Sequence, residues 1–252
     1  MISGNPFEPP DLFTAKRVLA VQPHYDDNDI AAGGTLAALA EKGTELFYLT
    51  VTNDLVGVID QSLTEEEMTA RLRTEQKEAG AAIGVTGHYW LGYPDAGKYD
   101  YFEVLRDIIQ HIRILCPDFI FTCDPWMPYE AHHDHILTGR AAAEAAILFG
   151  FPRLKTEPKV DQDFEPFELM GVAFYATAYP NTVVDISQTR QKKHQAISAY
   201  RSQFSEEDMA LLHMFLEFKE QEWAKEEAFS HGEPLKVLRT LHLHGYPQAL
   251  HT

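Results

Sequence analysis

Two short clusters of histidine and aspartate are the residues of this chain best suited to chemistry. His24, Asp26 and Asp27 follow an apolar run and precede a helix rich in small residues. The second cluster, His132-His133-Asp134-His135, lies far downstream. Two adjacent carboxylates repel each other unless one of them binds a cation or shares a proton. The two clusters together therefore predict a mononuclear metal site with a catalytic carboxylate beside it.

The residue types suggest which side chains bind the metal. A catalytic zinc commonly takes three nitrogen or oxygen ligands from the protein and leaves one position for water. His24, Asp27 and His135 fit that count. Asp26 would lie near the metal without binding it, and could accept a proton from the bound water, whose pKa the metal lowers. The same mixed ligand set would also accept iron, cobalt or nickel.

The rest of the second cluster suggests a group that acts on the substrate. His132 lies three residues before His135, so the two share one face of a helical turn. We expect His132 to stabilise an oxyanion or to protonate a leaving amine, with Asp134 or another carboxylate on its second ring nitrogen. These residues together predict metal-assisted hydrolysis of an amide.

Strand-like and helix-like segments alternate through roughly the first 150 residues, which favours βαβ units and a parallel sheet, and the last part of the chain changes character. The predicted strands are Arg17–Gln22, Leu46–Thr52, His88–Leu91, Phe119–Thr122, Leu169–Ala176 and Thr182–Asp185, with an edge strand near His242 and His244. The predicted helices are Gly33–Lys42, Glu65–Ile83, Phe102–Leu115, His135–Phe149, Gln188–Ser202 and Ser205–Ala228. We therefore expect one α/β domain over residues 1–252, with a Rossmann-like, mostly parallel sheet sandwiched by helices. The polar clusters follow strand C-termini, which is the edge of such a sheet where ligands bind.

The composition limits the class of partner. The formal net charge of −17 disfavours nucleic acid and anionic membranes, because these polyanions would be repelled. The N-terminal segment lacks the basic start and apolar centre of a signal peptide, and no apolar run is long enough to span a bilayer. Cys116 and Cys123 are expected to be small buried residues in a reducing compartment. We expect a cytoplasmic protein with a small-molecule substrate.

Further polar and aromatic residues near strand ends are candidate substrate contacts. Asp54 and Asp95 would either contact the substrate or cap loops. Tyr93, Trp126 and Tyr129 would either form an aromatic wall against a sugar ring or pack within their loops.

The same clusters resemble the motifs of a known family. His24-x-Asp26-Asp27 with Gly33-Gly34-Thr35, followed by His132-x-Asp134-His135, is similar to the LmbE / PIG-L de-N-acetylase signature of His-Pro-Asp-Asp-Glu, Gly-Gly-Thr and His-Pro-Asp-His. The likeness extends through the ends of the second and third predicted strands to the segment around Lys193 and Ser202-Gln203, and so covers most of the chain.

This resemblance implies a zinc-dependent deacetylase of N-acetylated amino sugars or sugar conjugates of the N-acetylglucosamine type. It implies a Rossmann-like α/β fold, with the metal bound by His24, Asp27 and His135. Asp26 would be the general base, and His132 the acid or oxyanion partner with Asp134 behind it. We also expect a homo-oligomer, from the family likeness and from the apolar helix residues Leu211, Leu212, Met214 and Phe215.

Four positions depart from the family pattern. Tyr25 and His133 replace the two motif prolines, Asn28 replaces glutamate, and Tyr200 stands where histidine commonly precedes Ser-Gln. His133 is an additional imidazole that could compete as a ligand. Two alternatives to deacetylation stay open. One is hydrolysis of another small amide or ester. The other is a metal-containing carbohydrate-binding protein without turnover, in which Asn28 in place of glutamate would be the sign that catalysis has been lost.

Overall fold

The computed structural model describes residues 7–252, which form alternating strands and helices. The strands are β1 (Arg17–Gln22), β2 (Glu45–Thr52), β3 (Gly87–Tyr93), β4 (Phe119–Cys123), β5 (Gly171–Tyr175), β6 (Thr182–Asp185) and β7 (Gly232–Leu238). The α-helices are α1 (Asp27–Glu41), α2 (Glu65–Ile83), α3 (Tyr101–Leu115), α4 (His133–Leu148), α5 (Pro158–Asp163), α6 (Arg190–Ile197) and α7 (Glu206–Trp223). Short 3-10 helices cover Leu12–Thr14, Thr240–Leu243 and Pro247–Leu250.

The strands form one seven-stranded sheet in the order β3-β2-β1-β4-β5-β7-β6. The five strands from β3 to β5 in that order are parallel, whereas β7 runs antiparallel to both β5 and β6. The predicted α/β class with a mostly parallel sheet is confirmed.

Helices cover both faces of the sheet. On one face, α1 and α2 bury side chains such as Leu36 and Leu72. On the other face, α3 and α4 bury Ile108 and Ala145. The central strand β1 is therefore covered on both sides, which explains its continuous apolar run from Val18 to Val21.

The order of connections reverses beside β1. The chain leaves β1 through α1 and returns as β2 on one side, whereas β4 lies on the other side of β1 and leads into α4. The crevice at such a switch point is where open α/β sheets bind ligands. The segments after β1 and β4, which carry the two sequence clusters, meet there.

Helix α1 begins earlier than the sequence predicts. The helix expected from Gly33 starts instead at Asp27, with Asp26 as its N-cap residue. Asp27 and Asp29 lie in its first turn, where the helix dipole favours negative charge. Asp27 is consequently fixed on a helix and not on a separate turn.

The C-terminal third differs most from the prediction. The edge strand expected near His242 and His244 is wrong, because Thr240–Leu243 forms a 3-10 helix. The last strand of the chain is instead β7, which lies between β5 and β6 in the sheet. The sequence analysis missed β7 because Pro234 and Lys236 interrupt the alternation of apolar residues. The two predicted helices of this region are also shorter in the structure, at Arg190–Ile197 and Glu206–Trp223.

The two cysteines differ in exposure. Cys123 is buried at the end of β4 as expected, but Cys116 is exposed, which corrects the prediction. Cys116 adopts a left-handed conformation with φ 47° at the C-cap of α3, where the chain turns at the surface. Within residues 7–252, no helix combines the length and the apolar character needed to cross a membrane.

Helix α4 approaches β4 closely at Gly139. A Cβ atom at this position would lie 2.5 Å from the carbonyl oxygen of Cys123. Only glycine allows so close an approach of helix and strand backbone. The contact holds the start of α4, which carries His135, beside the end of β4.

We expect Gly139→Ala to destabilise the fold by about 1–3 kcal/mol, because its methyl group would force α4 away from the strand. Gly150→Ala is the matched control, since a Cβ there meets nothing within 4 Å. Thermal unfolding followed by circular dichroism should show a lower Tm for the first variant only. Equal Tm values for the two variants would contradict the close approach.

Candidate active site

Three imidazole rings meet at the switch point. His24 follows β1, His132 is the N-cap residue of α4, and His135 lies in the first turn of that helix. The ring centroids of His24 lie 4.7 Å from His132 and 5.3 Å from His135. The centroids of His132 and His135 are 5.0 Å apart. The structure thus brings together the two clusters that are distant in the sequence.

Two groups of side chains could hold a metal ion, and His24 belongs to both. The first group is His24, Asp27 and His135, and the second is His24, Asp95, His132 and Asp134. Within each group the candidate ligand atoms all lie within 4.8 Å of one another. The Nδ1 atom of His24 lies 3.2 Å from Asp27, whereas its Nε2 atom lies 3.3 Å from Asp95. The two groups therefore use opposite nitrogens of one ring.

The first group contains the three ligands expected from the sequence. The Oδ2 atom of Asp27 accepts a hydrogen bond from the main-chain N–H of His24 at 2.8 Å, and its Oδ1 atom lies 3.3 Å from Nε2 of His135. Burial raises the pKa of Asp27, but the neighbouring His24 and His135 lower it overall. Glu130, which the sequence analysis missed, lies 3.6 Å from Nδ1 of His135. Such a carboxylate on the outer nitrogen orients a ligating histidine.

Asp134 lies behind His24. Its carboxylate is 3.6 Å from Nε2 of His24 and accepts hydrogen bonds from the Ala96 N–H and the Tyr99 hydroxyl. The sequence analysis predicts it behind His132, but no hydrogen bond or ion pair joins these two residues in the described part of the chain. His132 is exposed at the N-cap of α4, whereas Asp134 is fully buried in the first turn of the same helix. His133 is exposed and belongs to neither metal group.

The charge around His24 fits a divalent cation. Burial lowers the pKa of His24, but hydrogen bonds to Asp134, Asp27 and Asp95 raise it well above its usual range. Three carboxylates around one imidazole leave an excess of negative charge, and buried charge is costly unless it is compensated. Imidazole and carboxylate donors together suit zinc and other first-row divalent ions. The residues therefore fit a bound metal.

Asp26 lies beside these ligands and belongs to neither group. It is buried, and its side chain makes no capping hydrogen bond to α1. Burial, followed by the negative charges of Asp27 and Asp54, raises the pKa of Asp26 well above its usual value. A buried carboxylate with a raised pKa next to a metal group is suited to accept a proton.

The peptide of Tyr25, between His24 and Asp26, is held by four side chains. Its N–H donates to Asp54, and its carbonyl oxygen accepts from Gln22, Gln76 and Tyr200. Proline, the usual family residue here, has no N–H and could not bond to Asp54. Tyr25 therefore adds a hydrogen bond that holds the turn carrying the candidate ligands His24 and Asp27. Asp54, which also accepts from the Gln203 amide, acts here as a support.

Two other departures from the family pattern, Tyr200 and Asn28, have buried side chains that form hydrogen bonds. The hydroxyls of Tyr200 and Tyr48 both donate to the carboxyl group of Asp29. Burial raises the pKa of Asp29 to about 6, although both tyrosines act to lower it. The Asn28 amide donates to the carbonyl of Ala20 on β1. The motif thus has a neutral amide at position 28 and a buried carboxyl at position 29.

The three aromatic residues predicted to contact the substrate make no ring contact with the imidazoles in the described chain. The Tyr93 hydroxyl donates to Asp107 on α3. Trp126 is half exposed, borders a separate cavity of about 230 Å³ and packs edge-on against Phe174. Tyr129 is fully exposed. A role in substrate binding stays a prediction for these three residues.

A larger cavity of about 400 Å³ adjoins the first metal group and includes Asp27, His135 and Tyr175 in its wall. Tyr175 ends β5 and pairs with Cys123 at the end of β4. Its hydroxyl is buried, and no group in residues 7–252 forms a hydrogen bond with it. Sequence analysis missed Tyr175, although its place at a strand C-terminus was the signal that could have found it.

Comparisons with known proteins agree with the geometry. The family model described as PIG-L: GlcNAc-PI de-N-acetylase matches residues 19–146. A diacetylchitobiose deacetylase of Thermococcus kodakarensis is 30% identical over 234 residues, which cover 93% of this chain and 87% of that protein. A 1D-myo-inositol 2-acetamido-2-deoxy-alpha-D-glucopyranoside deacetylase of Thermomonospora curvata is 31% identical over 208 residues, which cover 72% of this chain and 67% of that protein. The solved structure of N,N'-diacetylchitobiose deacetylase from Pyrococcus horikoshii with an inhibitor has a TM-score of 0.88 and 33% identity, covering 96% of this chain and 91% of that chain.

Single substitutions can tell which group holds the ion. His135 belongs only to the first group and His132 only to the second. Loss of a residue that only orients a metal ligand typically lowers metal affinity by roughly 10–100-fold. We expect His135→Ala to lower the zinc affinity by more than this, and His132→Ala to retain its zinc. Elemental analysis of both purified variants measures this, and the opposite pattern would place the ion in the second group.

Proposed function

Because the chain belongs to the PIG-L (LmbE) family of de-N-acetylases, we propose that it is a zinc-dependent hydrolase that removes the acetyl group from an N-acetylated amino sugar of the N-acetylglucosamine type. The observation that carries this proposal is the convergence of His24, Asp27 and His135 with Asp26 beside them. The names of the relatives, which specify diacetylchitobiose and a GlcNAc-inositol, support the substrate class.

His24, Asp27 and His135 would hold the metal, which when bound would polarise the acetyl carbonyl and lower the pKa of water. Asp26 accepts a proton from the water that attacks the carbonyl carbon. As the new C–O bond forms and the C–N bond breaks, His132 gives a proton to the departing nitrogen. The products are acetate and the free amino sugar.

Two further sets of residues support this reaction. Asp95 and Asp134 lie 3.3 Å and 3.6 Å from Nε2 of His24, and these charge contacts orient the ring with Nδ1 towards Asp27. The Tyr175 hydroxyl, which lacks a partner in the described chain, donates to the acetyl oxygen as negative charge develops on it.

We also propose a cytoplasmic homo-oligomer. Cys116 and Cys123 are both free thiols, which supports a reducing compartment. Leu211, Met214 and Phe215 of α7 are all more than half exposed, at 59%, 64% and 54%, which supports burial of this face against another subunit.

The activity is tested by acetate release from N-acetylglucosamine, N,N'-diacetylchitobiose and a GlcNAc-inositol. We expect turnover by zinc-loaded protein. Asp26→Asn should retain its zinc but lower kcat by roughly 100–10,000-fold, because the proton acceptor is lost. Undiminished kcat in that variant would exclude Asp26 as the base. Ligand-induced thermal protection without any acetate would instead favour a carbohydrate-binding protein.

Tyr175→Phe separates a catalytic hydroxyl from a structural one. Loss of one donor to a developing oxyanion costs about 100–1,000-fold in kcat. The same change should leave Tm unchanged or raise it, because a buried hydroxyl without a partner destabilises the fold. Tyr48→Phe is the matched control, since it removes a 2.7 Å hydrogen bond to Asp29 and should lower Tm. Normal kcat in Tyr175→Phe would refute the role.

A further inference from the structure

The candidate reaction centre has a polar side and an apolar side. Beyond Nε2 of His24 lie Asp95, His132 and Asp134. On the opposite side, Asp27 and His135 belong to the wall of the cavity of about 400 Å³. An N-acyl amino sugar has the same asymmetry about its amide bond, because its sugar bears hydroxyls and its acyl group is hydrocarbon. The sugar therefore suits the polar side and the acyl group suits the cavity.

The wall of this cavity is largely hydrocarbon. Its apolar residues come mainly from α1 and α7, and include Ile30, Ala31, Leu212, Phe215, Leu216 and Trp223. Both helices contribute to the cavity wall, and α1 also carries Asp27 in its first turn. An apolar chain that enters from the reaction centre would consequently contact side chains of α1 and α7.

The charged side chains in the same wall are engaged with one another or with a ring. The Lys193 ammonium group lies 2.9 Å from Glu220 and 2.8 Å from Glu233. The ammonium group of Lys219 lies 5.3 Å from the ring centroid of Phe215. These contacts compensate the charges within the fold, so the wall suits an apolar occupant better than sugar hydroxyls.

The cavity is also larger than an acetyl group requires. Pockets of about 300–1,000 Å³ enclose ligands of drug size. The single methyl group of an acetyl substituent would leave most of the cavity without substrate. Longer acyl chains would bury additional methylene groups there, each worth roughly fourfold in kcat/KM.

We propose that this cavity is an acyl pocket, and that the protein hydrolyses N-acyl amino sugars with acyl chains of about four to eight carbons in addition to N-acetyl sugars. This rests on the proposed deacetylase function. The chemistry is the same: water adds to the acyl carbon, the C–N bond breaks, and a fatty carboxylate leaves in place of acetate.

The test compares kcat/KM of the zinc-loaded protein for N-acetyl-, N-butanoyl- and N-hexanoylglucosamine. We expect the hexanoyl substrate to exceed the acetyl substrate by roughly tenfold or more. Turnover of the acetyl substrate alone would overturn the acyl pocket and leave the deacetylase function standing. If none of the three substrates is hydrolysed, both the deacetylase function and the role of the cavity as an acyl pocket are refuted.

A substitution in the pocket gives a second measurement. Leu212→Trp should fill part of the cavity and lower the hexanoyl-to-acetyl ratio of kcat/KM at least fivefold. Ala210→Trp is the matched control, because Ala210 is exposed on the same helix and does not line the cavity, so the ratio should stay unchanged. An unchanged ratio in Leu212→Trp would contradict the assignment.

Binding without turnover completes the test. Calorimetry on chelator-treated protein should show tighter binding of hexanoate than of acetate, and Leu212→Trp should remove that difference. Equal affinities for the two carboxylates would overturn the proposal. An octyl glycoside of N-acetylglucosamine tests the opposite orientation. If the octyl glycoside binds more tightly than the N-octanoyl sugar, and Leu212→Trp abolishes this difference in affinity, the cavity holds the aglycone and the acyl assignment is wrong.

Discussion

The burial of negative charge at one edge of the sheet is the constraint on which this site depends. Five carboxylates converge there, namely those of Asp26, Asp27, Asp54, Asp95 and Asp134. Main-chain N–H groups donate to four of them, from His24, Tyr25, Val56 and Ala96. Asp27 and Asp134 also lie in the first turns of α1 and α4, where the helix dipole favours an anion. Asp26 is the exception, because no other residue in the described chain donates to its carboxylate, which agrees with its raised pKa and with the proposed role as proton acceptor.

His24 divides the site into two environments. Its Nδ1 faces Asp27 and the apolar cavity beyond, and its Nε2 faces Asp95 and Asp134. Two carboxylates face Nε2, whereas Asp27 is the carboxylate that faces Nδ1. A proton held on Nε2 by the two carboxylates would leave the lone pair of Nδ1 for a metal. The orientation of the His24 ring thus favours the metal group of His24, Asp27 and His135. The same ring separates the polar region of Asp95 and Asp134 from the apolar cavity beside Asp27.

The sequence predicted those parts of the site that depend on local pattern. The run before His24 marked β1, and the parallel alternation placed both clusters at one sheet edge. The contacts of His24 with Asp95 and Asp134 could not be predicted from local sequence pattern. They depend on the orientation of the His24 ring and on the position of Asp95 in the loop after β3. The predicted helix began at Gly33, six residues after the observed start of α1 at Asp27, because adjacent aspartates after a strand are typical of a turn or a helix cap. Strand β7 was missed because Pro234 and Lys236 interrupt its apolar pattern, and its pairing with β5 and β6 is non-local.

The position of α1 ties the metal group to residues far along the chain. A Cβ atom on Gly34 would lie 2.7 Å from the Ile186 side chain, so this glycine allows α1 to pack closely against that residue. The Glu233 carboxylate accepts from the N–H groups of Gly34 and Thr35, and is itself paired with Lys193. These contacts fix α1 from the side that also forms the cavity wall. Because Asp27 opens the same helix, a shift of the β7 end that moved α1 would displace the Asp27 carboxylate and change the shape of the cavity together.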